Sequence, residues 1–415
     1  MTGKKIKFKK NYIRLYFFLI GFFLFGARIV LAYVTDPTAV IPERNDTRPA
    51  FTTPSYIDPD FSVSIKRITD HTINGDDITV PFYAQLQAWN ADQSMILLQN
   101  NQIIDANTYG LKSYFNYNWP NNGFGPRWSP IDPHVIYFIS TSNSYGCATG
   151  AVMKYTLNSN YTSGSWSVIR CFTEYTSLGD GVELEIKNSN TEEMSVDGRY
   201  LALVGRKADG GAYGFIFDVI SNTKYSEREI LPHGRVCDHL NISPSGDYAV
   251  FTCAGSSQVG FNGVEVYDRN MNYLRNIHHN TDHSDLAVVQ NGVEWLVVYN
   301  FQTGNGGISK VKLSDGYSVD LTGPQWNIGE HISCQTRRVN WCIFSTIKYS
   351  TSGWLALEAE LIKVYLDSTV TAPHIERLVH HRSDWAYADN PSSCPNLQYK
   401  SAGYWAQPSH TSSRD

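Results

Sequence analysis

Local catalytic signatures are missing from this sequence. It has no Cys-x-x-Cys pair, so a zinc ribbon or a thioredoxin-type redox site has no footing. It has no Gly-x-Ser-x-Gly elbow for a serine nucleophile and no Gly-x-x-x-x-Gly-Lys-Ser/Thr loop for a nucleotide phosphate. Charge of one sign is not in excess: 34 basic against 39 acidic residues leave a net charge of −5 and a pI near 6.2, which argues against a nucleic-acid partner. Charged residues make up only 18% of the chain. After residue 35 no segment carries an amphipathic-helix period, which argues against a parallel α/β fold.

What is present is apolar, aromatic and exported in style. Hydrophobic residues are 42% of the 415, enough to bury a large core, and 26 Tyr with 10 Trp suit half-buried pleated surfaces. The N-terminus carries Lys4, Lys5, Lys7, Lys9, Lys10 and Arg14, then the apolar run Leu15 to Gly26, then Val30-Leu31-Ala32. This is the three-part pattern of a signal peptide over residues 1–32. The alternative is an uncleaved anchor over Leu15 to Val34, which would put Arg28 at a cost inside hydrocarbon. A Pro- and Thr-rich stretch follows, so residues 33–59 read as a linker and 60–415 as the folded domain. The expected location is secreted or periplasmic, with no membrane span once the signal is removed. Seven cysteines suit that compartment. Cys147 with Cys171, Cys237 with Cys253 and Cys334 with Cys342 are candidate disulfides, leaving Cys394 over; spacing alone does not fix connectivity. Asn45, Asn160 and Asn241 open triplets of the N-glycosylation type, which matter in a eukaryotic host.

The chain repeats itself. The unit is a strand, a tight turn of Asp, Asn, Gly, Ser or Pro, then a second apolar strand. Copies are NADQSMILL from Asn90, SPIDPHVIYF from Ser129, SVDGRYLAL from Ser195, SPSGDYAVF from Ser243 and VVQNGVEWLVV from Val288. A looser copy starts at Cys334, and a seventh starts at Ser412 and meets the chain end. The starts at 195, 243, 288 and 334 lie 48, 45 and 46 residues apart. That is near the ~40–45 residues of a four-stranded propeller blade. A third strand follows most copies, as in KYTL at Lys154, FIFDV at Phe215, VEVYD at Val264, KVKL at Lys310 and IKVYL at Ile362. The fold expected is all-β, a seven-bladed β-propeller whose last blade is incomplete by ~30–40 residues at blade size. The strand SVSIKRIT, Ser62 to Thr69, is expected to join that last blade. Strand content alone would also suit a β-sandwich, but a sandwich gives no reason for the repeat.

In a propeller the innermost strands face a central channel, so residues just before each turn can meet although far apart in sequence. The set is polar: Gln85, Gln87, Arg127, Glu192, Glu193, Asp238, His239, His283, Asp285, His331, Gln407 and His410. Polar, water-filled channels without chemistry are common, so the set alone does not define an enzyme. Glu192 and Glu193 are adjacent, point to opposite faces of a strand and so do not form the carboxylate pair of a glycoside hydrolase. Three histidines occupy equivalent pre-turn places in successive repeats: His283 in DHSDLAVV, His331 in GEHISC and His410 in QPSHTSSRD. Imidazole is both a metal ligand and a base suited to neutral pH.

The repeats resemble secreted WD40-like propellers, and the last three resemble the oligogalacturonate lyase group of propeller polysaccharide lyases. Gln407-Pro-Ser-His410 is similar to the Gln-x-x-His part of that group's metal motif, His331 stands in the place of an earlier metal histidine, and His283 in the place of the base. Ser412 stands where a second closely spaced histidine belongs. The resemblance implies a divalent metal (Mn, Ca or Zn) held by His331, Gln407 and His410, with His283 as base. Arg235 and Arg127 are the candidates for the group's catalytic arginine; Arg235 is taken for that role, with Arg127 and His239 as substrate-binding residues. The implied partner is an acidic polysaccharide or oligosaccharide, cleaved by β-elimination. The other readings are a non-catalytic propeller that binds a glycan or a protein partner, and a truncated inactive paralogue.

Overall fold

The computed structural model describes residues 34–44, 55–69, 81–99, 101–115, 123–140, 145–179, 193–231, 237–253, 263–279, 283–289, 291–300, 307–323, 329–334, 340–348 and 353–381. Among them there is no helix. A small hairpin, β1 (Tyr56–Ile57) with β2 (Ser64–Ile65), comes first. Six meandering sheets follow in chain order as the blades of a β-propeller. The first has β3 (Met95–Leu97), β4 (Gln102–Asp105) and β5 (Leu111–Tyr114), and Trp89 bridges to Ile96 on its inner side. The second has β6 (Gly123–Trp128), β7 (Val135–Ser140), β8 (Ala151–Leu157) and β9 (Gly164–Cys171). The third has β10 (Ser177–Gly179), β11 (Tyr200–Arg206), β12 (Ala212–Asp218) and β13 (Thr223–Leu231). The fourth has β14 (Cys237–Ile242), β15 (Tyr248–Cys253), β16 (Gly263–Asp268) and β17 (Tyr273–His278). The fifth has β18 (Ser284–Val288), β19 (Glu294–Tyr299), β20 (Ile308–Lys312) and β21 (Ser318–Asp320). The sixth has β22 (Gly329–Ser333), β23 (Trp341–Thr346), β24 (Glu360–Tyr365) and β25 (Ile375–His380).

The described residues therefore form six blades where the repeat count predicts seven. The seventh copy, at Ser412, lies outside them. Within the strand SVSIKRIT, Ser64–Ile65 pairs with Tyr56–Ile57, and the last blade that it is expected to join lies outside the described residues. The hairpin pairs locally because Asp58 closes it, its carboxylate accepting the N–H groups of Asp60 and Phe61 at 2.9 and 3.0 Å.

The turn signature does the work expected of it. The residue at the matching turn position has positive φ in four blades: Gln93 (62°), Gly198 (70°), Gly246 (80°) and Gly292 (77°). Such a conformation reverses the chain in the few residues between inner strands, and Gly or Asn adopts it with least steric cost.

Blade packing follows from strand alternation. Successive side chains of a strand point to opposite faces, and a blade has a neighbour on each face. In β7, Ile136 and Phe138 join a core with Leu97, Ile103 and Phe115 of the first blade. The alternate residues Val135, Tyr137 and Ile139 join a core with Leu201, Leu203, Phe215 and Phe217 of the third. The same arrangement joins blades three and four, four and five, and five and six. This is why the second-strand repeats read as continuous apolar runs: β7 and β19 are buried along their whole length. Gly214 lets two blades approach closely, since a Cβ there would lie 2.6 Å from Phe251 Cζ.

Two of the candidate disulfides form, Cys147–Cys171 and Cys334–Cys342. Cys237 and Cys253 are register partners across β14 and β15. Cys394 lies outside the described residues.

The outer edge of the sixth blade is covered by the stretch read as a linker. Val34 bridges Arg377 on β25, whose N–H donates to the Val34 carbonyl at 2.8 Å. The Arg377 side chain, 0% exposed, grips the equally buried Glu360 through two nitrogens. Its remaining Nη1 donates to the Asp36 and Ala39 carbonyls at 2.9 and 2.8 Å. Next to it, His380 packs edge-on against Phe61 and Trp354, with ring centroids at 5.1 and 5.5 Å. Covering an edge strand in this way removes a template for intermolecular pairing.

Candidate functional site

The two described candidate histidines stand at and next to the first strands of the fifth and sixth blades. His283 immediately precedes β18, and its carbonyl accepts the Tyr299 N–H at 3.0 Å, which anchors it to the second strand of its own blade. His331 lies within β22, and its N–H donates to Ser345 Oγ at 3.0 Å. Asp285, 3% exposed, sets the two strands relative to each other. One of its oxygens accepts the Leu286 N–H at 2.7 Å and the other the Cys334 N–H at 2.6 Å. A carboxylate that takes backbone N–H groups from two blades is a charge-assisted tie that a neutral residue would not supply.

With that tie in place, the two imidazoles stack. Their centroids are 4.9 Å apart and their planes 6° from parallel. His331 is 2% exposed, while His283 is half-buried and stands on the more open side. The third ring of the cluster is Tyr83, edge-on to His331 at 4.9 Å and 84°. Tyr83 belongs to a turn ahead of the first blade, closed by the Leu86 N–H on the Tyr83 carbonyl at 2.9 Å. From the same turn, Gln85 Nε2 donates to the carbonyl of Ser284, the residue after His283. The Gln87 N–H donates to Glu193 Oε1 at 3.0 Å. Residues near positions 85, 193, 284 and 331 thus meet at one place, as a propeller centre requires.

The sequence-derived site residues divide into three groups. His283 and His331, placed in the same constellation, are in ring contact. Arg127 is 1% exposed on β6, with Nη1 donating to the Gly125 carbonyl at 3.0 Å, and His239 sits on β14 opposite Thr252. Arg235, Gln407, His410, Glu192 and Ser412 lie outside the described residues. Among the described residues, no three of His, Cys, Asp or Glu converge as a metal ligand set, so the stacked imidazoles supply at most part of one.

Tyr83 and Ser284 were not among the sequence candidates. A signal existed for Tyr83: Tyr83, Gln85 and Gln87 alternate, and the last two were singled out as pre-turn residues. Ser284 is reached through its backbone carbonyl, which no side-chain pattern reveals.

No protein-family model matches the chain, and no curated protein matches it. Solved structures do. One is an oligogalacturonate lyase in complex with manganese, at a TM-score of 0.53 and 12% identity, covering 86% of this chain and 88% of that one. Another is the oligogalacturonate lyase from Vibrio parahaemolyticus, at 0.54 and 13%, covering 80% and 85%. The chain is therefore similar in fold, over most of its length, to propeller lyases of that group. At such identity the likeness concerns the fold.

Proposed function

We propose that the chain is an exported propeller lyase that cleaves uronic-acid-containing oligosaccharides or polysaccharides by metal-assisted β-elimination. The observation that supports this most directly is the stacking of His283 on His331 at the channel, where two neighbouring blades present a base and a ligand side by side. The fold likeness to an oligogalacturonate lyase determined with manganese fits the same reading. On this reading residues 1–32 are removed on export, and the two disulfides belong to an oxidising compartment.

The chemistry assigns a task to each residue. His283, as the base, takes the proton from C5 of the uronate. The electrons of the C5–H bond form a C4–C5 double bond, the C4–O bond breaks, and the leaving sugar oxygen takes up a proton. No water attacks, so the carboxylate pair of a glycoside hydrolase is not needed. Charge that develops on the substrate carboxylate must be met by positive charge placed beforehand. Arg235 is assigned that task, with Arg127 and His239 holding the substrate. His331, Gln407 and His410 are the residues that would hold a divalent ion, which would supply Lewis acidity toward the same carboxylate.

The test is an ultraviolet assay of the chain from Tyr33 onward against a panel of uronic-acid polysaccharides and oligosaccharides, with and without Mn, Ca or Zn. A metal-dependent rise in far-ultraviolet absorbance marks the unsaturated product. Loss of roughly 10²–10⁴-fold in rate on His283→Ala, with the fold retained, is the expected result for removing a general base. A flat trace from folded wild-type protein on every substrate overturns the lyase reading.

A further inference from the structure

Two contacts leave one short turn and reach both site histidines from a part of the chain that precedes every blade. Tyr83 lies against the His331 ring. Two residues on, Gln85 is bonded to the Ser284 carbonyl, next to His283. Gln85 is 4% exposed, and among the described residues its Oε1 has no hydrogen-bond partner; Ser284 Oγ, 3% exposed, has none among them either. Buried polar atoms without partners cost stability, and in native proteins they tend to mark places held for a reason other than stability. An apolar residue at position 85 would avoid the orphan oxygen but would lose the link to Ser284. The chain keeps the link.

From this geometry we propose that the turn 82–86 is a positioning element of the site, with Tyr83 as the residue that holds the His331–His283 stack in register. The physical reason is the order of the three rings. His331 is the middle ring, covered on one side by His283 in a parallel stack and flanked by Tyr83 at a right angle. A ring held between two partners cannot rotate without losing one of them. The backbone tie through Asp285 sets the strands but not the ring planes. Gln85 keeps the turn from withdrawing, since its amide is anchored to the fifth blade while Tyr83 touches the sixth. For its activity readout this inference rests on the lyase reading; its structural readout does not.

The experiment compares Tyr83→Leu, Tyr83→Ala and Tyr83→Phe in the mature chain. Thermal unfolding selects the variants that fold, and Tyr83→Leu keeps apolar bulk should Tyr83→Ala fail. Side-chain ¹⁵N–¹H spectra of the histidines are recorded for each, with His331 assigned by a His331→Gln variant. The expected result is that Tyr83→Leu moves and broadens the His331 ring signals, and that Tyr83→Phe brings them back. In the elimination assay, kcat is expected to fall roughly 10- to 100-fold with little change in KM, the size typical of a displaced reacting group. Unaltered His331 signals in Tyr83→Leu overturn the proposal. So does a change confined to KM, which would make Tyr83 a substrate contact instead. Absence of elimination in the wild type removes the lyase reading alone, because the ring signals still decide the role of Tyr83.

Discussion

Two buried polar centres of this molecule make an instructive pair. At the outer edge of the sixth blade, Arg377 and Glu360 are fully buried, and the guanidinium is bonded to a carboxylate and to two carbonyls of the N-terminal stretch. At the channel, His331 is nearly as buried, but its surroundings are rings: His283 on one face and Tyr83 at its edge. The first centre uses its polar atoms on structure and leaves nothing to offer a ligand. The second is arranged by packing, with a half-buried imidazole at its open side. Burial alone therefore does not identify a functional site. What distinguishes the two is the kind of contact, an ion pair with carbonyl bonds at the edge and ring against ring between the fifth and sixth blades.

The comparison can be sharpened by damaging each centre separately. The largest effect is expected at the channel: His283→Ala lowers elimination by the 10²–10⁴-fold given above while leaving the unfolding midpoint in place. At the edge the signs exchange. Arg377→Met leaves Glu360 buried without its partner and releases the N-terminal stretch, so chemical denaturation is expected to show a loss of about 3–5 kcal/mol. Elimination per folded molecule is expected to stay near wild type. A large drop in specific activity would show that the two centres are coupled through the sixth blade.

A smaller effect is expected from the Cys147–Cys171 disulfide, whose partners are 24 residues apart and close part of the second blade. Replacing both cysteines by Ala is expected to cost about 2–4 kcal/mol by relaxing the constraint on the unfolded chain. Activity should again be spared, because neither cysteine belongs to the strands that carry the histidines.

The smallest and most graded effect is with pH. Burial lowers the pKa of His380, against the opposing influence of the Ile41 backbone and of Asp58 and Asp60. The unfolded chain takes up this proton near the ordinary histidine value of 6.5, while the folded chain resists it to lower pH. Stability therefore falls as pH drops below that value. A His380→Phe variant should flatten this part of the melting-temperature profile. In the third blade, burial pushes Glu227 up, but hydrogen bonds from Lys207, Lys224 and Tyr175 prevail and hold it at about 2. Its contribution is present above the ordinary value of 4.5 and is lost as pH falls toward about 2. Glu227→Gln should remove that lower step and leave the His380 step untouched.

Much of the fold was legible in the chain because a blade is a local object. Its turn needs a residue tolerant of positive φ, its second strand needs apolar residues on both faces, and both demands recur within a few residues at each of Gly198, Gly246 and Gly292. The contact of His283 with His331 was also accessible, since equivalent places in adjacent repeats must lie side by side at the channel. The pairing of Ser64–Ile65 with Tyr56–Ile57 was not foreseen, because the same alternation serves a hairpin closed by Asp58 as well as a blade edge. Cys147–Cys171 and Cys334–Cys342 could be named as pairs, yet spacing alone could not choose them over other connectivities.

By itself, the sequence determined an all-β propeller with histidines at matching places of neighbouring repeats, since periodicity and turn chemistry act over a few residues. Only the tertiary structure decided that Tyr83 flanks His331, that Gln85 reaches Ser284 and that Arg377 seizes the chain at Asp36 and Ala39. These contacts join residues far apart in the chain or pass through backbone carbonyls. No local pattern records them, because they exist only once the blades have closed around a common axis.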